Sequence, residues 1–419
     1  MALKNRRFIK EIRLDIENIS PLHIGSDEGE ILLDLENKLT SIPGTSLAGA
    51  FRSYLENIGY GNIENLFGND NISKVFFYDS YAKLKERETR PNVRINPEYG
   101  VEENKFERDY IAQGHKFNVK IEVYADSEEE FKIFEAAIYT CIFALNNGDI
   151  NLGSYKSSGA GLFKILKLRE SNVNLTNKND LFKYLKGENK FEEKAIGTLK
   201  NIAFDSNDVT FILEGNLKTP ILIKGEGLMD ADRPDGEHIK NINGDYIITG
   251  SSLKGVLRAQ GERILGYFNK SNFSKEIFGS EDKDKKIASK LKCFDSVISN
   301  SKEGVYHRIK LDKLTGGVRK SALFDDKVVL GKVKLESKIK GNDEEIIDIG
   351  TALIALVYRD IALGSLSLGG GNNVGRGRIN GEKLKITKGK ELIYSYDFKE
   401  NIVEVDKMER YFKVLRGDN

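Results

Sequence analysis

The segment Ile42-Pro43-Gly44-Thr45-Ser46-Leu47-Ala48-Gly49-Ala50-Phe51-Arg52 returns, slightly altered, as Ile248-Thr249-Gly250-Ser251-Ser252-Leu253-Lys254-Gly255-Val256-Leu257-Arg258. An internal repeat of this kind decides the architecture, because it makes the chain two copies of one unit rather than a single large core. Other landmarks recur in the same order. Phe67-Gly68 is answered by Phe278-Gly279, and Gly159-Ala160-Gly161 by Gly375-Arg376-Gly377. The chain has 419 residues, so each copy is of ordinary domain size.

Working outward from the repeated segment, each half gives the same series of periodicities. In the first, Ile12-Arg13-Leu14-Asp15-Ile16 alternates as a half-buried strand, and Leu47, Phe51, Tyr54, Leu55 and Ile58 follow helical spacing. Phe117, Val119, Ile121 and Val123 alternate again, Phe131 to Leu145 reads as a helix, and Leu162 to Leu166 closes the unit. The second half answers with strands at 211–217, 328–335 and 378–386 and helices at 253–268 and 347–363. This order is the split β-α-β arrangement, so the predicted fold class is α+β: two tandem ferredoxin-like (RRM-like) domains, each with helices on one face of an antiparallel sheet. The expected boundaries are 1–170 for the first domain, 171–206 for a polar linker, 207–390 for the second domain and 391–419 for a C-terminal extension. Both halves carry a long insertion between the first helix and the third strand. Val93-Arg94-Ile95 and Arg308-Ile309-Lys310 alternate within them, which predicts a basic hairpin arm on each domain.

Composition excludes several classes. Lys and Arg number 65 against 64 Asp and Glu, a net charge of +1, so the whole molecule exerts no general attraction on nucleic acid and such binding must come from a local patch. No apolar run approaches membrane-spanning length, and the amino terminus lacks the pattern of a secretory signal, so the expectation is a cytoplasmic protein without a membrane partner. Cys141 and Cys293 are too few and too far apart for a cysteine-rich zinc site and are expected in the core.

Three motifs bear on chemistry. At the repeated helix start, Gly44 and Gly250 allow unusual backbone angles, Thr45-Ser46 and Ser251-Ser252 are candidate caps, and the exposed amides attract phosphate, with Arg52, Lys254 and Arg258 nearby. The plainer reading is a capped helix whose arginines pair with carboxylates. Second, a glycine-rich segment precedes the last strand of each half and carries Lys156 in one copy, and Gly375, Arg376 and Arg378 in the other. Bare backbone of this kind can lie against a sugar-phosphate chain, or can simply be a surface turn. It is neither a dinucleotide fingerprint, since no helix follows, nor a P-loop, since Gly-Lys-Ser/Thr is missing. Third, Asp230, Asp232, Asp235 and Glu237 crowd one loop beside His238. Pro234 at the fifth position rules out a calcium loop, leaving a solvated loop or a carboxylate that assists phosphoryl chemistry with a divalent ion. His23, His115 and His307 are scattered, and each is read as structural.

Taken together these residues resemble the RAMP superfamily of CRISPR-associated proteins, specifically the backbone subunit of type III effector complexes, with two backbone-type domains in one chain as in type III-D-like systems. Ile-Pro-Gly-Ser-Ser-Leu-Lys-Gly-x-Leu-Arg is that family's most specific segment, and both halves carry it with Thr45, Ala48 and Thr249 as the changes. The resemblance implies a guide RNA (crRNA) bound along the open face of stacked domains, a paired target RNA, neighbouring effector subunits, and hairpin arms that displace a nucleotide at intervals. It points to Gly44, Ser46, Arg52, Arg94 and Lys156 in the first half as RNA-binding. In the second half it points to Gly250, Ser251, Ser252, Lys254, Arg258, Arg308, Lys310, Gly375 and Arg376. It further implies cleavage of the target by an aspartate upstream of the Ile-Pro-Gly segment with Mg2+ or another divalent cation. The family pattern Asp-x-Pro-Val-x-x-Asp sets Asp235-Gly236-Glu237-His238-Ile239-Lys240-Asn241 in register, which makes Asp235 the catalytic and metal-binding candidate, with Asp232 its rival. The same register in the first half places Glu28 at that position, with Asp27 adjacent. Two alternatives stand beside this: a non-catalytic guide-binding scaffold or end cap, and a guide-processing ribonuclease, which would lack the duplicated helix-start motif.

Overall fold

The computed structural model describes residues 6–25, 30–34, 36–69, 71–95, 102–199, 207–225, 234–281 and 286–417. The chain divides into two compact units, Met1–Glu88, Asp109–Lys156 and Ala160–Asp205 in the first, and Thr89–Arg108, Ser157–Gly159 and Ser206–Asn419 in the second.

In the first unit, β1 (Phe8–Asn18) is the central strand. Ile12, Leu14 and Ile16 turn inward and are buried, while Arg13 between them is exposed, as the two-residue period requires. Helix α1 (Gly44–Asn57) follows and buries Leu47, Phe51 and Leu55. Strand β2 (Val75–Phe77) comes next, then the arm strands β3 (Arg87–Ile95) and β4 (Glu102–Ile111), which pair with each other and belong for the most part, over Thr89–Arg108, to the second unit, then β5 (Lys116–Ala125). Helix α2 (Glu128–Asn146) is capped by Ser127, whose hydroxyl accepts from the Glu130 amide at 3.1 Å, and Glu128, Glu129 and Glu130 occupy the positive end of its dipole. Strand β6 (Phe163–Asn174) completes the motif. The order β6-β1-β5-β2 is antiparallel throughout, which is the ferredoxin-like order. Beneath α2, the fully buried Lys10 is met by Glu135 and Glu170, the latter at 3.1 Å, and Tyr139 donates to Glu170.

Much of the stretch expected as a linker, 171–206, is instead part of this sheet and its flank. Strand β6 runs on to Asn174, α3 (Lys178–Lys186) is capped by Asn177 and ended by left-handed Gly187, and β7 (Glu192–Glu193) pairs with β6. The polar composition that suggested a linker belongs to an edge strand and an exposed helix.

The second unit repeats the plan. Strand β8 (Val209–Leu217) is central, β9 (Gly236–Glu237) is short, and α4 (Gly250–Tyr267) is the repeated helix. Strand β10 (Leu291–Cys293) precedes the long arm strands β11 (Ser299–Leu311) and β12 (Val318–Ile339), then come α5 (Glu344–Ala362) and β13 (Ile379–Lys388). The order β13-β8-β12-β10 reproduces the first sheet, and a register break at Asp15/Ile16 in β1 recurs at Glu214/Gly215 in β8. The C-terminal extension adds edge strands β14 (Glu391–Asp397) and β15 (Ile402–Asp406), then α6 (Glu409–Arg416), whose Tyr411 and Leu415 join the second core. Both predicted hairpin arms form. Cys141 and Cys293 are buried, and burial pushes both thiols up, Cys293 to about 12.

Candidate nucleic-acid interface

The two repeated helix starts share one device that the motif reading missed. The amide of Gly44 donates to Asp79 Oδ1 and that of Gly250 to Asp295 Oδ1, both at 2.8 Å. Each carboxylate sits at the positive end of a helix and satisfies one of its orphan donors. The expected caps are displaced. Helix α1 has Pro43 at the cap position and no side-chain cap, while α4 is capped by Thr249, whose Oγ1 accepts from the Ser252 amide at 3.3 Å and lies 3.1 Å from Ser251 Oγ and 2.9 Å from Ser252 Oγ. The repeated glycines are also needed for a different reason from the one expected. Neither has a positive φ. A Cβ would instead lie 2.2 Å from the Phe77 carbonyl at Gly44 and 2.4 Å from the Cys293 carbonyl at Gly250. Two turns on, Arg52 and Arg258 project to solvent and pair with Glu56 at 3.1 Å and Glu262 at 2.9 Å. Exposed i,i+4 pairs of this kind are worth only about 0.3–0.5 kcal/mol, so neither guanidinium is held away from a phosphate.

The terminal glycine segments are ordered loops tied to the end of each central strand. Leu152 donates to Gly161 and Leu368 to Gly377, each at 2.9 Å, and Gly161 and Gly377 donate in turn to the carbonyls of Pro21 and Pro220. At Gly161 and Gly377 φ is +75° and +73°, and a Cβ would collide with the carbonyls of Leu152 and Leu368 at 1.9 and 1.8 Å. Gly375 also has positive φ but faces open space. Lys156 stands on a short turn of the first segment, and burial pulls its ammonium below the usual lysine value.

Asp235 lies at the foot of the second arm. It is exposed, and its Oδ2 accepts the Asp325 amide at 2.9 Å. The next residues, Gly236–Glu237, run parallel to Asp326–Lys327 of β12. A Cβ on Gly236 would lie 2.7 Å from Asp326 Oδ1, so only glycine lets this loop close on the strand. On the other edge of β12, β11 places His307 opposite Asp325 and Tyr306 opposite Asp326. Successive side chains of β12 point to opposite faces. Asp325 therefore meets His307, Oδ1 to Nδ1 at 2.6 Å, while Asp326, 1% exposed, receives Arg308 and, at 2.8 Å, Arg376. Arg376, expected among the RNA contacts, is thus itself buried, and its guanidinium also stands 5.6 Å from the Tyr306 ring. Nearby, Glu303 and Glu237 hold the Lys327 ammonium above its ordinary value.

Among the other candidates, Lys310 is exposed on β11, and Arg94 lies on β3. Ser46 and Lys254 stand in the first turns of their helices. Asp230, Asp232, Asp27 and Glu28 fall outside the described residues. His23 and His115 are structural as expected, and His238 beside the acidic loop is structural as well, each bonded to backbone atoms and buried. His307 departs from that expectation, with 69% of its side chain exposed and a carboxylate partner. Among the described residues no group of three or more histidine, cysteine, aspartate or glutamate side chains is arranged to hold a metal ion, and no helix is long and apolar enough to cross a membrane.

A family model described as the RAMP superfamily matches residues 15–164 and 216–380. No curated protein matches the chain. Among solved structures, one similar chain belongs to the cryo-EM structure of the Type III-B Cmr-beta bound to cognate target RNA, at 22% identity and a TM-score of 0.31. The match covers 38% of this chain and 60% of that one.

Proposed function

Since the chain belongs to the RAMP superfamily, matched over both of its halves, we propose that it is a backbone subunit of a type III CRISPR effector complex. In this reading it binds guide RNA, works beside other effector subunits, and cuts the paired target RNA through its second domain. The observation that carries the reading is the placement of Asp235: an exposed carboxylate, fixed by a main-chain hydrogen bond, at the foot of a hairpin arm in a duplicated fold. An arm that pushes one nucleotide out of a regular duplex relieves the geometry that forbids in-line attack by its 2′-hydroxyl on the adjacent phosphate. Asp235 would orient that hydroxyl or accept its proton. Exposed Lys310 on the same arm, and Arg308 above Asp326, bring positive charge toward the phosphate.

Asp235 offers one carboxylate, with Oδ1 unpartnered among the described residues. Hydrated Mg2+ commonly takes one or two protein carboxylates and completes its shell with phosphate oxygens and water, so the residue fits such an ion as one ligand of several. Bound there, the ion would supply charge neutralisation at the phosphate. The remaining RNA contacts are assigned to the two repeated helices, with Ser46 and Lys254 in their first turns and the solvent-facing Arg52 and Arg258 two turns on.

The test is cleavage of a labelled guide-complementary RNA by the reconstituted complex with magnesium. Asp235→Ala is expected to remove the cut made by the second domain while RNA binding stays intact. An unchanged ladder of products would leave the non-catalytic scaffold as the surviving reading.

A further inference from the structure

Two elements converge on Asp325. Its amide donates to Asp235 on one edge of β12, and its carboxylate receives His307 from β11 on the other. The imidazole uses Nδ1 for this contact, so Asp325 fixes the ring and leaves Nε2 pointing away, with no partner among the described residues. Neighbouring strands lie about 4.8 Å apart, which puts the loop of Asp235 and the strand of His307 roughly 10 Å from each other across β12. That span suits a phosphodiester in which one group handles the attacking oxygen and the other the leaving oxygen, each at about 3 Å.

We propose that His307 is the general acid of the second domain's RNA cleavage, oriented by Asp325, an inference that rests on the nuclease reading above. The step balances without a further reagent. The 2′-hydroxyl gives its proton to the Asp235 carboxylate, and the 2′-oxygen forms a bond to phosphorus. The bond from phosphorus to the 5′-oxygen breaks, and that oxygen takes the Nε2 proton of His307. The products are a 2′,3′-cyclic phosphate and a 5′-hydroxyl. Asp325 contacts the imidazole; the other charged groups on the elements beside it are Lys327 on β12, Asp235 and Glu237 on the facing loop and β9, and Glu303 and Lys310 on β11, while Arg308 turns to the opposite face and pairs with Asp326. Lys327 is itself paired with Glu237 and Glu303.

The experiment is single-turnover cleavage by the reconstituted complex on two targets, one all-oxygen and one with sulfur replacing the 5′-oxygen at the cut. A thiolate leaves without needing a proton. His307→Gln is expected to slow the oxygen substrate about 100-fold, to leave RNA binding unchanged, to restore near wild-type rate on the sulfur substrate, and to remove the fall in rate at high pH expected of wild type. Asp325→Asn is expected to give a smaller loss with the same rescue. Full rate for His307→Gln on the oxygen substrate while Asp235→Ala is inactive overturns the acid and spares the nuclease reading. Equal slowing on both substrates also overturns the acid, since it marks a structural lesion. Full rate for both variants overturns both.

Discussion

Asp326 shows how one side chain can hold a site together. It is 1% exposed and receives Arg308 and Arg376 on a single carboxylate. Removing the carboxylate strands the buried Arg376 without a counter-charge, at a cost of up to about 3–5 kcal/mol, while Arg308, 40% exposed, falls back on solvent. Asp326→Ala should lower the urea midpoint of the second unit by a corresponding amount, and Asp326→Asn by less, because the amide still accepts one hydrogen bond. His238 supplies a pH response. Burial holds its imidazole below its ordinary value of 6.5, so the unfolded chain takes up the proton first as pH falls. Stability from this group is fully present above about 6.5 and declines as pH drops toward the lower folded value. The melting temperature of the second unit should fall with acidification below pH 6.5, and His238→Gln should flatten that slope. At this scale the sequence was partly legible. Asp235 stood out because it lies in an acidic loop in register with a family pattern. Asp79, Asp295, Asp325 and Asp326 did not, since their importance comes from partners brought together only by folding.

At the scale of elements, each of the repeated helices begins where a glycine lets a carbonyl approach. Gly250→Ala would set a Cβ 2.4 Å from the Cys293 carbonyl, and strain of this kind typically costs about 1–3 kcal/mol. Gly255, one turn further along α4, has open space around it. Gly255→Ala should therefore be stabilising, by roughly 0.5–1 kcal/mol from helix propensity, and chemical denaturation of the two variants should show opposite signs. The strands and helices themselves were readable from periodicity because one face of each is buried, as with Ile12, Leu14 and Ile16 or Leu47, Phe51 and Leu55. The caps were not. Ser and Thr at a helix start compete as caps, and which one sits at the half-turn depends on where the chain enters, here Thr249 in one copy and Pro43 in the other.

For the molecule as a whole, a net charge of +1 means that RNA affinity must come from a limited number of phosphate contacts. Affinity for single-stranded RNA should fall linearly on a log–log plot against salt, and each of Arg52→Ala and Arg258→Ala should make that slope shallower by about 0.7. An unchanged slope would mean that the helix starts do not face phosphate. The presence of two copies of one fold was legible from the repeat, whereas the place of Thr89–Arg108 in the second unit and the fate of residues 171–193 were not: a polar edge strand and an exposed helix have the same composition as a connector.

The anchoring of Asp326 by residues 308 and 376 also has a temporal side. A ribosome delivers Asp235 and the whole second arm well before it delivers Arg376, and until that residue emerges the strand beside Asp235 carries a buried carboxylate lacking one of its two cations. The pairing around Asp326 is therefore completed only as residue 376 is added, just before β13 (Ile379–Lys388) can take its place beside the central strand, so this buried cluster and the sheet are finished together.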